Sequence, residues 1–352
     1  MIDIAVNLAF EPSASWGRAP DLKRYFEYGR SVEEKLARNM AEDPSKGGNI
    51  LSVGWIDQEQ MKQLPSRPQE GANLLVAAYG QSFTLNATSA AAKMDTRVTV
   101  RPFGGPGAPP SHSYAAYLAD APIRKADVVV FGVLSSTIGL MGSLSGLFSN
   151  FENPAPFTYP RYRLIGDRLS AESPLIRSEA DFRTAFLRRS AVWQQFKAQL
   201  KQSDRGYDAF AFEESFADSS SIVRLIRRGW VAHLQAYDNG VFLRSGGFNP
   251  QAEEIKVLKA MLVDLARQTQ ARGERLVVLL LHTRGHADHL HAVLEGTLKQ
   301  SNIEYVSTHT QFSANDPGNF MRDGHYTDAA NNKLAAAVLS KLRGTDAMAS
   351  TP

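Results

Sequence analysis

The chain has 352 residues, of which 43% are hydrophobic and 21% charged, and its formal net charge is +3. This composition excludes a disordered chain, and the length allows one large domain or two smaller ones. The absence of cysteine excludes disulfides, thiolate nucleophiles and cysteine-ligated metals.

The small basic excess is not gathered into a patch. Arg188-Arg189 and Arg227-Arg228 are isolated pairs within helical patterns. Nucleic acid is therefore not an expected partner, because binding to a phosphate backbone needs a cluster of basic residues. No apolar run reaches the roughly 18 residues of a membrane span, so no transmembrane segment is expected. The stretch Met1-Ile2-Asp3-Ile4 lacks the basic and apolar regions of a signal peptide.

Residues 1–70 are predicted to form a polar, mostly helical N-terminal segment. Ser31 precedes Glu34 by three residues, a spacing typical of a capped helix start. Pro65 and Pro68 then interrupt the chain. At the other end, residues 344–352 are small and polar and are predicted to form a flexible tail.

Five short apolar runs after residue 70 predict the strands of one sheet. Helical stretches at 111–121, 251–272 and 286–300 separate most of these runs. Apolar runs that alternate with helices are typical of a parallel sheet covered on both faces. We therefore predict an α/β fold, a three-layer αβα sandwich with a central parallel sheet, over residues 71–343. The runs are 74–78, 97–101, 127–133, 276–281 and 304–307.

A long insertion, at about 140–250, separates the third and fourth predicted strands. Its first part is rich in proline and aromatic residues and predicts loop or hairpin, and its second part predicts helices. An apolar stripe at roughly helical spacing in the second part is interpreted as core. From the topology we expect the insertion to lie near the strand ends and to shape a substrate cleft. The stripe consists of Phe182, Phe186, Val192, Phe196 and Leu200.

Ser82 lies just after the first predicted strand, in Gly80-Gln81-Ser82-Phe83. Active sites of open parallel sheets lie at the carboxyl ends of the strands. A serine at the start of the next helix has free backbone N–H groups and a helix dipole beside it, and both favour an oxyanion. Taken alone, however, Ser82 fits an ordinary helix N-cap better than a nucleophile.

The next two strands end in residues that could donate to an oxyanion. Gly107 belongs to the glycine-rich loop after the second strand, and Ser135 and Ser136 follow the third. A glycine loop can bring a backbone N–H close to a reacting carbonyl, and hydroxyls can donate to its oxygen. Each feature also fits a plain turn or a helix cap.

Asp323-Gly324-His325 precedes the last predicted helix. On an extended backbone, the side chains of Asp323 and His325 project to the same side. A carboxylate beside an imidazole fixes its tautomer, and the imidazole can then take the proton of a serine hydroxyl. Because the chain's first strand ends in Gly-x-Ser, we predict a catalytic triad of Ser82, His325 and Asp323.

These motifs, in this order, resemble the conserved blocks of the SGNH (GDSL-type) hydrolases over roughly residues 71–343. Residues 1–70 and the insertion lie outside the resemblance. The spacing Asp-x-His is similar to that of the alginate-type acetyltransferase branch. Gln81 replaces the family's usual Asp, and the Asn of block III is missing. The matching stretches are 80–83 for block I, 104–107 for block II, 127–135 for the strand before block III, and 323–325 for block V.

The resemblance implies a flavodoxin-like SGNH fold and a serine ester hydrolase or O-acyltransferase that needs no cofactor. The implied substrate is an acyl group, acetyl first, on a carbohydrate or polysaccharide, and a periplasmic location would suit it. Gly107 is the implied oxyanion glycine, with Gln81, Ser135 and Ser136 as further oxyanion or substrate contacts. The departures leave open a catalytically degenerate protein that binds a glycan or a partner.

A histidine-rich stretch, His282 to His291, invites a different interpretation as a metal site. It resembles the metallo-β-lactamase motif, but Arg284 occupies the first ligand position. His286 and His289 are spaced to share a helix face, so a metal-dependent hydrolase is the lesser alternative. We interpret the stretch as a solvated helix start and expect no metal.

Overall fold

The structure is a computed structural model that describes residues 3, 26–41, 50–244 and 246–343. The predicted tail at 344–352 lies outside the described residues. The chain divides into two compact units. The helical unit contains Met1–Trp55, Gly142–Thr158 and Ser173–Gly240, and the sheet unit contains Ile56–Met141, Tyr159–Glu172 and Val241–Pro352.

The described strands and helices follow in chain order, and six short 3-10 segments complete them. The strands are β1 (Leu74–Gly80), β2 (Val98–Gly104), β3 (Val128–Leu134), β4 (Arg161–Ile165), β5 (Arg168–Glu172), β6 (Leu243–Arg244), β7 (Gly247–Phe248), β8 (Arg275–Leu281) and β9 (Glu304–Ser307). The helices are α1 (Val32–Ala41), α2 (Gln58–Lys62), α3 (Ser82–Met94), α4 (Pro110–Asp120), α5 (Glu179–Leu187), α6 (Ala191–Ser203), α7 (Ala209–Phe212), α8 (Ser221–Phe242), α9 (Glu253–Arg272), α10 (His289–Gln300) and α11 (Asp328–Arg343). The 3-10 segments are Ser135–Thr137, Gly139–Gly142, Gly146–Phe148, Phe216–Ser219, Thr308–Thr310 and Pro317–Asn319.

The sheet unit is built on a five-stranded sheet with the order β2-β1-β3-β8-β9. Every pairing in it is parallel. The predicted parallel sheet with helices on its faces is therefore confirmed. The direction of strand succession reverses between β1 and β3, and in open sheets of this type ligands bind at such a switch point. The insertion also contributes the β4–β5 hairpin to this unit.

Two apolar layers cover the sheet, one on each face. Alternate residues of β1 enter different layers, since successive side chains of a strand point to opposite faces. Tyr79 packs in one layer with α4, α9 and α10, and Ala78 packs in the other with α3 and α11. The central strands β3 and β8 are buried along almost their whole length, which accounts for their continuous apolar sequences.

The helical unit has an aromatic core. The predicted stripe is buried at Phe182, Phe186, Phe196 and Leu200. It is wrong at Val192, which is 47% exposed. Helix α5 ends before this residue, and Ser190 begins a new helix by capping the N–H of Trp193. The break resets the helical phase, so Trp193 takes the core position.

Helix α8 has its charged and apolar residues on unexpected faces. Arg224 and Arg227 are buried, whereas Ile226, Trp230 and Tyr237 are 59%, 43% and 71% exposed. The arginines are buried because each donates to carboxylates and carbonyls of neighbouring segments. Across the described ranges, no helix combines the length and apolar character that a membrane crossing requires.

Candidate active site

Ser82 is the first residue of α3, directly beyond the carboxyl end of β1. Gln81 is the N-cap, with an extended backbone and no side-chain cap bond. The hydroxyl of Ser82 is therefore not used as a helix cap. The first N–H groups of a helix have no intrahelical acceptor, so the Ser82 amide can donate to a ligand.

Two glycines allow the start of α3 to pack tightly on the sheet. A Cβ on Gly80 would lie 2.3 Å from the Thr84 hydroxyl oxygen, and a Cβ on Gly132 would lie 1.7 Å from it. Both distances are far below van der Waals contact. Thr84 thus occupies the space that side chains on β1 and β3 would fill, and this contact fixes the depth at which Ser82 stands.

His325 is carried by a short loop that folds back on itself before α11. Phe320 and Tyr326 form an antiparallel bridge, and the Met321 amide donates to the His325 carbonyl at 2.7 Å. Gly324 has a φ of +89°, a conformation that suits glycine. Backbone hydrogen bonds within this loop therefore hold His325 in its position.

The structure brings Ser82, His325 and Asp323 together. The Ser82 Oγ lies 2.6 Å from the His325 Nε2. On the other side of the ring, the His325 Nδ1 lies 3.1 Å from the Asp323 Oδ2. With the proton on Nδ1, the imidazole donates to the carboxylate and accepts from the serine hydroxyl. The three side chains thus form a continuous series of contacts at the carboxyl edge of the sheet.

The carboxylate of Asp323 faces solvent. The side chain of Asp323 is 64% exposed and that of His325 is 31% exposed. The backbone N–H of His325 also donates to the Asp323 Oδ1 at 3.1 Å. This hydrogen bond, followed by those from the imidazole, keeps the pKa of Asp323 below its ordinary value. Asp323 is therefore ionised at neutral pH.

Aromatic rings pack around the imidazole, and nothing in the sequence motifs predicts them. The Phe83 ring is stacked on the His325 ring, with centroids 4.9 Å apart and planes 19° apart. Tyr326 meets Phe83 edge to face at 4.7 Å. The Tyr326 hydroxyl donates to the backbone carbonyl of His282 at 2.5 Å. The only sequence signal for these rings is position, since Phe83 follows Ser82 and Tyr326 follows His325.

The predicted oxyanion residues have different surroundings. Gly107 has a φ of +63°, and its amide has no hydrogen-bond acceptor among the described residues. Ser136 is exposed in the 3-10 segment after β3. The buried Ser135 hydroxyl accepts from the Thr283 amide at 2.9 Å. Gln81 is buried, and its side-chain amide oxygen accepts from the Thr84 hydroxyl at 3.2 Å.

No family model, curated protein or solved structure matches the chain.

His286 and His289 lie near each other in the histidine-rich stretch. Their rings are 6.2 Å apart, and the His286 Nδ1 lies 2.9 Å from the Thr283 hydroxyl. Within the described ranges, no three His, Asp or Glu side chains are grouped to hold a metal ion. His289 begins α10, as the helix-start interpretation predicts.

His282 lies beneath the loop that carries His325. Its Nδ1 is 2.8 Å from the Thr308 hydroxyl, and that hydroxyl donates to the Leu280 carbonyl. The Thr308 oxygen therefore accepts from His282 Nδ1–H. Burial, followed by neighbouring histidines, lowers the pKa of His282 to about 4. The imidazole of His282, whose backbone carbonyl accepts from Tyr326, is therefore neutral at neutral pH.

Proposed function

We propose that this protein is a serine-dependent ester hydrolase or O-acyltransferase. One observation carries the proposal: Ser82, His325 and Asp323 are joined by contacts of 2.6 Å and 3.1 Å. A serine hydroxyl within hydrogen-bond reach of a base, with that base held by a third group, is the arrangement of an activated nucleophile.

The reaction divides into two acyl transfers. The Ser82 oxygen attacks the ester carbonyl while its proton passes to the His325 Nε2. His325 then gives that proton to the leaving alkoxide, and an acyl-serine remains. Water or a sugar hydroxyl attacks the acyl-serine and gives its proton to His325. The bond between the acyl carbon and the Ser82 oxygen then breaks, and His325 returns the proton to Ser82. Asp323 stays ionised throughout, holds the tautomer and stabilises the imidazolium.

The negative charge of each tetrahedral intermediate needs donors near Ser82. We propose the backbone N–H groups of Ser82 and Gly107, because neither donates to an acceptor among the residues that the structure describes. The Ser135 hydroxyl oxygen accepts from the Thr283 amide and lies 3.0 Å from the Thr283 hydroxyl, so we do not place it among the oxyanion donors. Two backbone donors would then replace the asparagine that block III of the SGNH hydrolases usually supplies.

The proposal also covers the type of fold and the class of substrate. The strand order β2-β1-β3-β8-β9, with Ser82 at the switch point, is the order expected for a flavodoxin-like SGNH domain. We propose a short acyl ester, acetyl first, on a carbohydrate or polysaccharide. The exposure of Asp323 and His325 favours a bulky carrier, because a solvent-facing triad can reach an ester on a polymer.

Covalent labelling tests the nucleophile directly. The intact protein is treated with a fluorophosphonate probe, and the labelled peptide is identified by mass spectrometry. We expect one label on Ser82 and no label on the Ser82→Ala variant. Ser89→Ala is the matched control, since Ser89 is exposed on the same helix. An unlabelled wild-type protein would contradict the proposal and favour the glycan- or partner-binding alternative.

Turnover gives the second test. With p-nitrophenyl acetate, Ser82→Ala should lower kcat by about 10⁴-fold or more, because removing the nucleophile of a triad removes the covalent route. Ser89→Ala should keep the wild-type kcat. Activity that survives in Ser82→Ala would remove Ser82 from the mechanism. Feeding a sugar acceptor and measuring acetylated sugar against free acetate then separates transfer from hydrolysis.

A further inference from the structure

We propose that Phe83 is a positioning residue of the triad, which fixes the plane of the His325 imidazole and stabilises the imidazolium formed when Ser82 attacks. The proposal rests on the function proposed above. It assigns a role in the reaction to the residue after Ser82, to which the motif at 80–83 gives none.

The contact between the two rings is well defined. Their centroids are 4.9 Å apart and their planes differ by 19°. Phe83 is 8% exposed and is held in turn by the edge of Tyr326 at 4.7 Å and 84°. Tyr326 is 1% exposed and donates to the His282 carbonyl. The ring that stacks on His325 is therefore held by a buried neighbour.

The exposed carboxylate leaves room for such a role. Asp323 contacts a single ring nitrogen, and its side chain is 64% exposed. One hydrogen bond selects the tautomer, but it does not prevent the imidazole from rotating about that bond. A flat apolar surface against the ring face removes this freedom. Asp323 and Phe83 thus control different things, the proton position and the ring plane.

The same contact acts on charge. When the Ser82 proton reaches Nε2, the imidazole becomes a cation that lies within about 6 Å of an aromatic face, where the ring quadrupole attracts it. An aliphatic side chain of similar bulk gives packing without this attraction. The difference between an aromatic and an aliphatic residue at position 83 therefore isolates the role.

The experiment compares Phe83→Leu with Phe83→Tyr on p-nitrophenyl acetate. Phe83→Leu should lower kcat by about 10–100-fold, because a misoriented base loses part of the gain from positioning and general base catalysis. Its KM should change by less than about threefold, since the Phe83 side chain is almost fully buried. Phe83→Tyr keeps the aromatic face and should stay within about threefold of the wild-type kcat.

Phe312→Leu is the matched control for packing. Phe312 is 7% exposed and lies 4.9 Å from Tyr326, but it makes no ring contact with His325 among the described residues. The two Leu variants should lower Tm by similar amounts. Only Phe83→Leu should lose kcat. An equal loss in Phe312→Leu would show that Phe83 acts through packing alone and would overturn the proposal.

A readout without activity separates this proposal from the function on which it rests. In the NMR spectrum, the Hε1 resonance of His325 should be displaced upfield by the Phe83 ring. Asp323→Ala should keep that displacement, and Phe83→Leu should remove it. A wild-type protein that neither labels nor turns over refutes the proposed function, and with it the role of Phe83. Normal labelling with wild-type kcat in Phe83→Leu refutes only the role of Phe83.

Discussion

In the sheet unit, segments that are distant in sequence are joined mainly by backbone ladders, and the layers on both faces are apolar. In the helical unit, buried charged side chains make many of the equivalent connections. Asp218 accepts from the Ser31 amide at 2.7 Å and from Arg227 at 2.6 Å. Arg227 also donates to the Gly29 carbonyl at 3.1 Å.

The difference follows from the kind of backbone that each unit has. A strand offers N–H and C=O groups to its neighbours, whereas a helix uses them within itself. Helical segments from distant parts of a chain must therefore be joined by side chains. A long arginine that reaches several carbonyls serves this purpose, as Arg224 and Arg227 do. We expect single side chains to matter more in the helical unit.

The largest effect should come from Asp218→Ala. The change leaves Arg227 buried without its carboxylate and removes the acceptor of the Ser31 amide. Breaking a buried pair in this way costs about 3–5 kcal/mol of stability. The free energy of unfolding from urea titration measures it. Asp238→Ala is the control, because its pair with Arg205 is looser, at 3.5 Å, and partly exposed. Similar values for both variants would refute the role assigned to Asp218.

A slightly smaller effect is expected for Leu279→Ala in the sheet unit. Leu279 is fully buried in the central strand β8, and truncation leaves a cavity. Such changes cost about 2–5 kcal/mol. Ile123→Ala, at a position that is 47% exposed, should change stability by less than about 0.5 kcal/mol. A loss in Leu279→Ala well above that of Asp218→Ala would reverse the comparison between the units.

Acid should weaken the two units at different pH. The pKa of His282 falls from 6.5 to about 4 in the folded state, so the unfolded chain binds more protons between these values. The sheet unit should lose up to about 3 kcal/mol as pH falls through this range. The pKa of Asp218 is held below 3.8, so the stability that it contributes is present above that value and is lost only at lower pH.

Hydrogen exchange measured at a series of pH values can follow both units in one sample. Amides of β8 and β9 should lose protection between pH 6.5 and 4, before those of α1 and α8. His282→Asn keeps a donor near Thr308 and cannot become charged, so it should abolish the early loss. Simultaneous loss in both units would contradict the assignment to His282.

The smallest effect is expected for Glu172→Gln in the β4–β5 hairpin. Its partner Arg163 lies 3.9 Å away, and the two side chains are 34% and 45% exposed. Exposed pairs contribute about 0–1 kcal/mol. The free energy of unfolding should therefore stay within about 0.5 kcal/mol of the wild type. A larger loss would mean that the number of ion pairs, and not their burial, separates the two units.

Local patterns predicted the strands of the sheet and the helices of the insertion, but not the tertiary contacts of the helical unit. The apolar run at 304–307 is β9, and the run at 74–78 was only two residues short of β1. Such runs are local properties of the chain. The contact between Ser31 and Asp218 spans 187 residues, and no local pattern indicates it. The sequence therefore did not reveal that most of the N-terminal segment and most of the insertion share one unit.

The candidate site divides in the same way. Strand ends and a short Asp-x-His spacing were sufficient to select Ser82, Asp323 and His325. The stacking of Phe83 on His325 depends on how α3 meets a loop 242 residues away in sequence, and no spacing rule covers it. The partner of Ser135, which is Thr283, was hidden for the same reason. The catalytic roles of Ser82, Asp323, His325 and Phe83 stay predictions.

The close contact of Thr84 with Gly80 and Gly132 has a consequence for protein engineering. A methyl group added at Gly132 has nowhere to go, so the start of α3 must lift off the sheet and take Ser82 with it. A library that varies the lining of this site should therefore leave positions 80, 84 and 132 unchanged. Exchanging the buried Thr84 for a smaller residue would likewise leave a gap between α3 and the sheet and loosen the support of Ser82.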